Sequence, residues 1–162
     1  MRIQFYKPEH LETVVDLLLD MSVHYNGENA SERDEVKRNL VENVLGEHSG
    51  VRLVLALDDD RVVGLASISI LYPASRERGQ LFMKELYVAS DCRGRGIGKA
   101  LMHFVAGYAV EKSCIRFDWT VDETNADALR FYRQLGTHTA PSKLYFRLAG
   151  RELEHFASRN EN

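Results

Sequence analysis

Residues 92–100 read CRGRGIGKA, three glycines and two arginines within nine positions. They follow the apolar run LFMKELYV, residues 81–88, and precede LMHFVAGYAVEK, residues 101–112. The first run has strand composition. The second repeats its apolar residues Leu101, Phe104, Val105 and Tyr108 at helical spacing. A strand, a glycine loop and a helix start together form an anion trap. The first N–H groups of a helix lack intrahelical partners, the helix dipole adds partial positive charge, and glycine lets an oxyanion approach the backbone. This stretch predicts an α/β protein with an anion-binding loop.

Two familiar phosphate loops do not fit. The dinucleotide pattern G-x-G-x-x-G matches Gly94 and Gly96 but needs a third glycine where Lys99 stands. The P-loop pattern needs glycine at Arg93 and serine or threonine at Ala100. Dinucleotide redox chemistry and nucleotide hydrolysis are therefore demoted.

Working outward, residues 2–7 read as a strand, with Pro8 in the first turn of a helix. Leu11, Val14, Val15, Leu18 and Leu19 carry that helix to about Tyr25, where Asn26 and Gly27 stop it. Ser31 reads as the N-cap of a second helix ending at Gly46. VRLVLAL and RVVGLASISILY, joined through DDD, predict an antiparallel hairpin, and residues 81–88 add a strand. A helix over 98–112, a strand over 114–121 and a short helix over 126–135 follow, then a late strand KLYFRL and a terminal helix over 151–159. The order predicts one α/β domain over residues 1–162, built on a mixed sheet of about six to seven strands flanked by helices.

Bulk properties exclude several classes. The 162 residues suit one domain, and 44% hydrophobic with 28% charged content is ordinary for a globular chain. A net charge of −3 argues against nucleic-acid binding driven by overall charge. No apolar run approaches the ~20 residues of a membrane span, and MRIQFYKPEH lacks a signal peptide's apolar core. Cys92 and Cys114 match no zinc spacing and read as reduced thiols of a cytoplasmic protein. The six histidines show no metal spacing, so no metal is assigned.

The pattern R-x-x-G-x-G, as Arg93, Gly96 and Gly98, resembles the acyl-CoA pyrophosphate loop of the GNAT superfamily of N-acetyltransferases. The phrase ELYVASDCRGRGIGKAL resembles that superfamily's fourth strand, loop and third helix. NADALRFYRQLG, residues 125–136, is similar to its second CoA-contacting segment. The resemblance implies fourth and fifth strands that splay apart, acetyl-CoA as co-substrate, and direct attack of an amine on the thioester. It places the backbone N–H groups of Gly94, Arg95, Gly96, Ile97, Gly98 and Lys99 on the pyrophosphate, with Arg93 beside them. Leu86, Tyr87 and Val88 would pair with the pantetheine arm like an added strand. The Val88 N–H would meet the thioester oxyanion, and Asn125 would reach the pantetheine amides.

Two protons must move in such a reaction. The resemblance gives Tyr132 the role of protonating the departing thiolate, which a phenol of pKa about 10 can do when the sulfur is desolvated. An alkylamine of pKa about 10.4 is mostly protonated at pH 7, a deficit of roughly 4 to 5 kcal/mol, and in this superfamily an acidic residue, often acting through water, usually assists. Glu85 is the first candidate; Asp118, Asp122 and Glu123 are the others.

Within GNAT the chain most resembles the diamine, spermidine/spermine and thialysine-type group, through ASDCRGRGIG, VDETNADALRFYRQLG and YFRLAGREL. LLLDMSVHYN is similar to a segment lining the amine site there, which brings His24 and Tyr25 into consideration. Two departures stand out. Lys84–Glu85 replaces two adjacent acids, and Thr124 replaces a tryptophan. Lys84 should repel a polycation, and suits a single-amine acceptor carrying its own carboxylate. A non-catalytic acyl-CoA-binding module and a protein N-acetyltransferase are the alternative readings. The group also implies a homodimer, with KLYFRL pairing across a two-fold axis.

Overall fold

The computed structural model describes residues 1–140 and 144–158. The chain divides into two compact units, Met1–Asp122 and Glu123–Asn162. The first contains β1 (Arg2–Phe5), α1 (Leu11–Asn26), α2 (Arg33–Asn39), β2 (Arg52–Asp58), β3 (Arg61–Leu71), β4 (Gln80–Val88), α3 (Ile97–Glu111) and β5 (Arg116–Trp119). The second contains α4 (Ala126–Gln134) and α5 (Gly150–Ser158).

The sheet runs in the order β1-β2-β3-β4-β5. β1 to β4 form an antiparallel meander, and β5 joins β4 in parallel. That parallel pairing requires a crossover, which α3 supplies. The β2–β3 turn is made by Asp59 and Asp60, with Asp59 in the left-handed region at φ 53°. A short acidic residue tolerates that conformation better than a branched one.

β2 and β3 bury consecutive residues, Leu53 through Leu57 and Val62 through Ala66. Such runs mark strands covered on both faces. α3 packs across the strands with Leu101 and Val105 fully buried, and α1 packs on β3 with Val14 and Val15 at 0% exposure. Gly64 of β3 sits where a Cβ would lie 3.1 Å from the Ile97 side chain and 3.2 Å from that of Leu101. The absence of a side chain there lets the start of α3 come down onto the sheet.

Two expectations need correction. The described sheet has five strands, not six to seven. The missing strand is KLYFRL: its first residue lies outside the described residues, and 144–148 form no strand. Leu144, Tyr145 and Phe146 are exposed, and strand-forming side chains without a ladder partner do not make a strand. Ser31 is also not a helix cap. α2 begins after Glu32 with no side-chain cap bond, and the Ser31 N–H instead donates to Ser22 Oγ at 3.0 Å. A π-helical turn, Leu40–Val44, carries the chain on from α2.

Candidate active site

The site of the first unit begins at an irregularity in β4. Ser67 pairs with Glu85 and Ile68 with Met83, so Lys84 is an extra residue opposite no partner. This bulge leaves Lys84 exposed, with no carboxylate at ion-pair distance among the described residues.

On its other side β4 pairs with β5 only from Gln80 to Met83, matched to Arg116 through Trp119. Among the described residues, 84–88 therefore have no ladder partner on that side and present an open edge. The ladder fixes which groups face it. The Ala89 N–H donates to the Val63 carbonyl at 3.0 Å, so Gly64 and Val88, one residue back, form a non-hydrogen-bonded pair. The N–H and C=O of Val88 consequently point to the open edge. The Val88 carbonyl accepts from Arg93 Nε there at 3.2 Å.

β4 runs into a short helical turn, Ser90–Cys92, and then into the glycine loop. Gly94 and Gly96 take left-handed conformations at φ 76° and 78°, and nothing lies within 4 Å of a Cβ at either position. Gly96 is the N-cap of α3, and the Ala100 N–H returns to the Gly96 carbonyl at 3.0 Å. The N–H groups of Ile97, Gly98 and Lys99 precede that first helical bond and lack intrahelical acceptors. Open space, glycine backbone and a helix start fit a phosphate group at this point.

Ion pairs pin the loop from outside. Arg61 grips Asp91 with two bonds of 2.7 and 3.1 Å, and Arg95 Nη2 donates to Asp58 at 2.9 Å. Asp91 is held below the usual carboxylate range, first by Arg61 and then by its bond with Cys92. Arg95 is thus engaged with the end of β2. The Arg93 guanidinium carbon lies 5.4 Å from the Tyr87 ring centroid.

The last turns of α1 lie against β4. Tyr25 donates its hydroxyl to Glu85 Oε1 at 3.3 Å, and the same oxygen accepts the Leu86 N–H at 3.2 Å. Tyr87 is 3% exposed and donates its hydroxyl to Asp20 Oδ2 at 2.8 Å. His24, Tyr25 and Tyr87 form a ring cluster with centroids 5.2 to 6.2 Å apart. Burial raises the phenol pKa of Tyr25 and of Tyr87, with Glu85 and Asp20 respectively adding to the effect. Both hydroxyls stay protonated and act as donors.

Among the other acids, Asp118 is occupied. Its Oδ2 accepts from Gln80 Nε2 and from Arg116 Nε, each at 2.8 Å, which makes it a tie along the β4–β5 edge. Asp122 has a partner of its own in the structure.

In the second unit Asn125 is the N-cap of α4, its Oδ1 accepting the Ala128 N–H at 3.0 Å. Tyr132 lies on α4 with its ring 5.1 Å from that of Phe131, and its carbonyl accepts the Thr137 hydroxyl at 2.8 Å.

Sequence reasoning named Glu85, the open edge and the loop, and the first unit brings these together. It missed Asp20, the Tyr87 phenol, and the Arg61–Asp91 and Arg95–Asp58 clamps. Asp20 precedes His24 by one helical turn, and that spacing was the available signal.

Comparison with known proteins agrees with this architecture. Residues 12–137 match the Acetyltransferase (GNAT) family, and the chain belongs to that family. An L-ornithine N5-acetyltransferase of Arabidopsis thaliana is 29% identical over 60% of this chain and 43% of its own length. A thialysine N-epsilon-acetyltransferase of Mus musculus is 30% identical over 60% of this chain and 59% of its own. The chain spans roughly half the length of these curated relatives. Among solved structures, an integron cassette protein from the mobile metagenome of V. cholerae is 34% identical and covers 98% of each chain at a TM-score of 0.93.

Proposed function

We propose that the whole chain, residues 1–162, is an acetyl-CoA-dependent N-acetyltransferase acting on a small amine. The observation that carries this reading is the open β4 edge of residues 84–88 running directly into the glycine loop at the head of α3. One segment of chain thereby offers an extended edge for the pantetheine amides and, next to it, free helix N–H groups for the pyrophosphate.

Acetyl-CoA supplies an activated acetyl thioester. The chain's own groups hold it and move the protons. Backbone N–H groups from Gly94 to Lys99 bind the pyrophosphate. Leu86 and Val88 meet the pantetheine arm, and the Val88 N–H, turned to the open edge, stabilises the thioester oxyanion. Asn125 contributes to the pantetheine contacts. Glu85 takes the proton of the incoming ammonium, directly or through one water, because Asp118 is already committed to Arg116 and Gln80. Tyr132 returns a proton to the thiolate.

The acceptor is a single amine bearing its own carboxylate. Lys84, exposed on the bulge and without an ion-pair partner among the described residues, supports this choice over a polycation. Ornithine and thialysine, named in the two curated relatives, likewise carry a carboxylate, beside two amines each. The protein acts as a homodimer, a reading supported by the exposed apolar residues Leu144, Tyr145 and Phe146. A reducing compartment such as the cytoplasm fits its two free thiols.

The test is thiol release from acetyl-CoA with diamines, polyamines, lysine analogues, aminoglycosides and a peptide pool, on wild type and Tyr132→Phe. Acceptor-dependent release should be strongest for the amino-acid amines and fall about 10²-fold in the variant. Spermidine as the best acceptor by a wide margin would overturn the Lys84 argument. Silence with every acceptor, with CoA still bound, would favour a binding module.

A further inference from the structure

The α1–β4 contact has a feature that the proposed chemistry leaves unused. Two phenol–carboxylate hydrogen bonds cross it in opposite directions. Tyr25 of α1 donates to Glu85 of β4, and Tyr87 of β4 donates to Asp20 of α1. The first reaches the proposed base. The second reaches no reacting atom, yet the acceptor Asp20 also takes the Ser90 N–H, at 3.4 Å, where β4 turns into the glycine loop.

From Asp20 the contacts continue inward to the open edge. The tethered Tyr87 ring is the surface over which Arg93 lies, and Arg93 Nε holds the Val88 carbonyl. The outer side of the loop has its own anchors, Arg61–Asp91 and Arg95–Asp58. On the inner side, where β4 ends, the Ala89 N–H bond to the Val63 carbonyl holds the backbone, and the Asp20 contacts hold Tyr87 and Ser90 on either side of it. The Asp20 carboxylate therefore braces the last residue of the open edge from both flanks without touching the ligand.

We propose that Asp20 is a positioning residue of the acetyl-CoA site, acting through the Tyr87 hydroxyl and the Ser90 N–H to fix Arg93 and Val88 in register. This rests on the acetyl-CoA reading above. Removing the carboxylate leaves a buried phenol oxygen without its acceptor, and the ring turns to find another. Arg93 then loses its platform, and the edge that receives the pantetheine arm shifts. The fold itself, held by the sheet and the two outer ion pairs, remains.

The experiment measures CoA binding by titration calorimetry, with no acceptor present, for wild type, Asp20→Ala, Asp20→Asn and Tyr87→Phe. Steady-state thiol release and thermal unfolding accompany it. Asp20→Ala should bind CoA about tenfold more weakly and raise the acetyl-CoA KM by a similar factor, with kcat changed less than about twofold. Asp20→Asn, whose amide oxygen still accepts the phenol, should recover to within about threefold of wild type. Tyr87→Phe keeps the ring but loses the hydroxyl, so it should bind CoA as weakly as Asp20→Ala. It carries the test if Asp20→Ala does not fold.

Wild-type affinity in folded Asp20→Ala or Tyr87→Phe overturns the proposal. So does a loss confined to kcat. Failure of the wild-type chain itself to bind CoA overturns the acetyl-CoA reading and this proposal with it. Tight wild-type binding with unchanged variants removes the positioning role alone.

Discussion

Glu85 lies beside a bulge, and the bulge decides its neighbours. The extra residue at Lys84 reverses the alternation along β4: Met83 and Glu85 pair with the adjacent residues Ile68 and Ser67 and so lie on opposite faces, where an unbroken strand would put them on the same one. Glu85 Oε1 is shared by the Tyr25 hydroxyl and the Leu86 N–H, which orients the carboxylate while Oε2 takes part in no described hydrogen bond. Tyr25 is therefore expected to hold the base in place without titrating itself, since burial and Glu85 both keep its phenol protonated. Tyr25→Phe should lower kcat by about three- to tenfold, the equivalent of one modest hydrogen bond, and leave the acetyl-CoA KM unchanged. Glu85→Gln should lose more, about 10²-fold or greater, as expected for a removed general base. A Tyr25→Phe enzyme with wild-type kcat would show that the bond at 3.3 Å does not orient the base.

At the scale of elements, the strand–loop–helix unit from β4 to α3 depends on glycine for two different reasons. Gly96 needs its backbone: φ is 78°, and the space around a Cβ is empty. Gly64 needs its missing side chain: a Cβ would press on Ile97, Leu101 and the Tyr87 carbonyl at 3.1 to 3.2 Å. Gly96→Ala should thus cost about 1 kcal/mol through conformation alone. Gly64→Ala should cost about 1 to 3 kcal/mol by overpacking α3 against the sheet. Urea unfolding of both variants checks the order; a costlier Gly96→Ala would mean that α3 yields easily at Gly64. The same contrast explains what the sequence made legible. Local signals sufficed for the glycine loop and both long helices, because caps and periodicity act within a few residues. The bulge at Lys84 and the Asp20–Tyr87 bond arise from pairing between distant segments, and no window of sequence contains them. Asp118 reads as a candidate base until Arg116, two residues back on β5, and Gln80, on neighbouring β4, are seen to hold it. The Ser31 cap failed for a related reason: a serine competent to cap was drawn by its own N–H to Ser22.

On the scale of the whole molecule, the segment that did not become a strand is the outstanding physical problem. Leu144, Tyr145 and Phe146 are 84%, 73% and 87% exposed, and Leu153 and Phe156 of α5 are exposed at 50% and 63%. Single exposed apolar side chains are ordinary, but a contiguous apolar run in water is costly and marks a surface that meets something. The sequence has strand character here, and a strand is stabilised by the ladder it joins. A second copy of the chain offers the same segment in the symmetric arrangement that closes most homo-oligomers. The proposed homodimer therefore predicts a concentration-dependent dimer in sedimentation equilibrium. Phe146→Asp, which places a charge in the middle of the run, should shift the protein to monomer while its far-UV circular dichroism stays unchanged. A wild-type chain that remains monomeric at high concentration would show that these side chains are not a contact between copies, and the homodimer would be withdrawn.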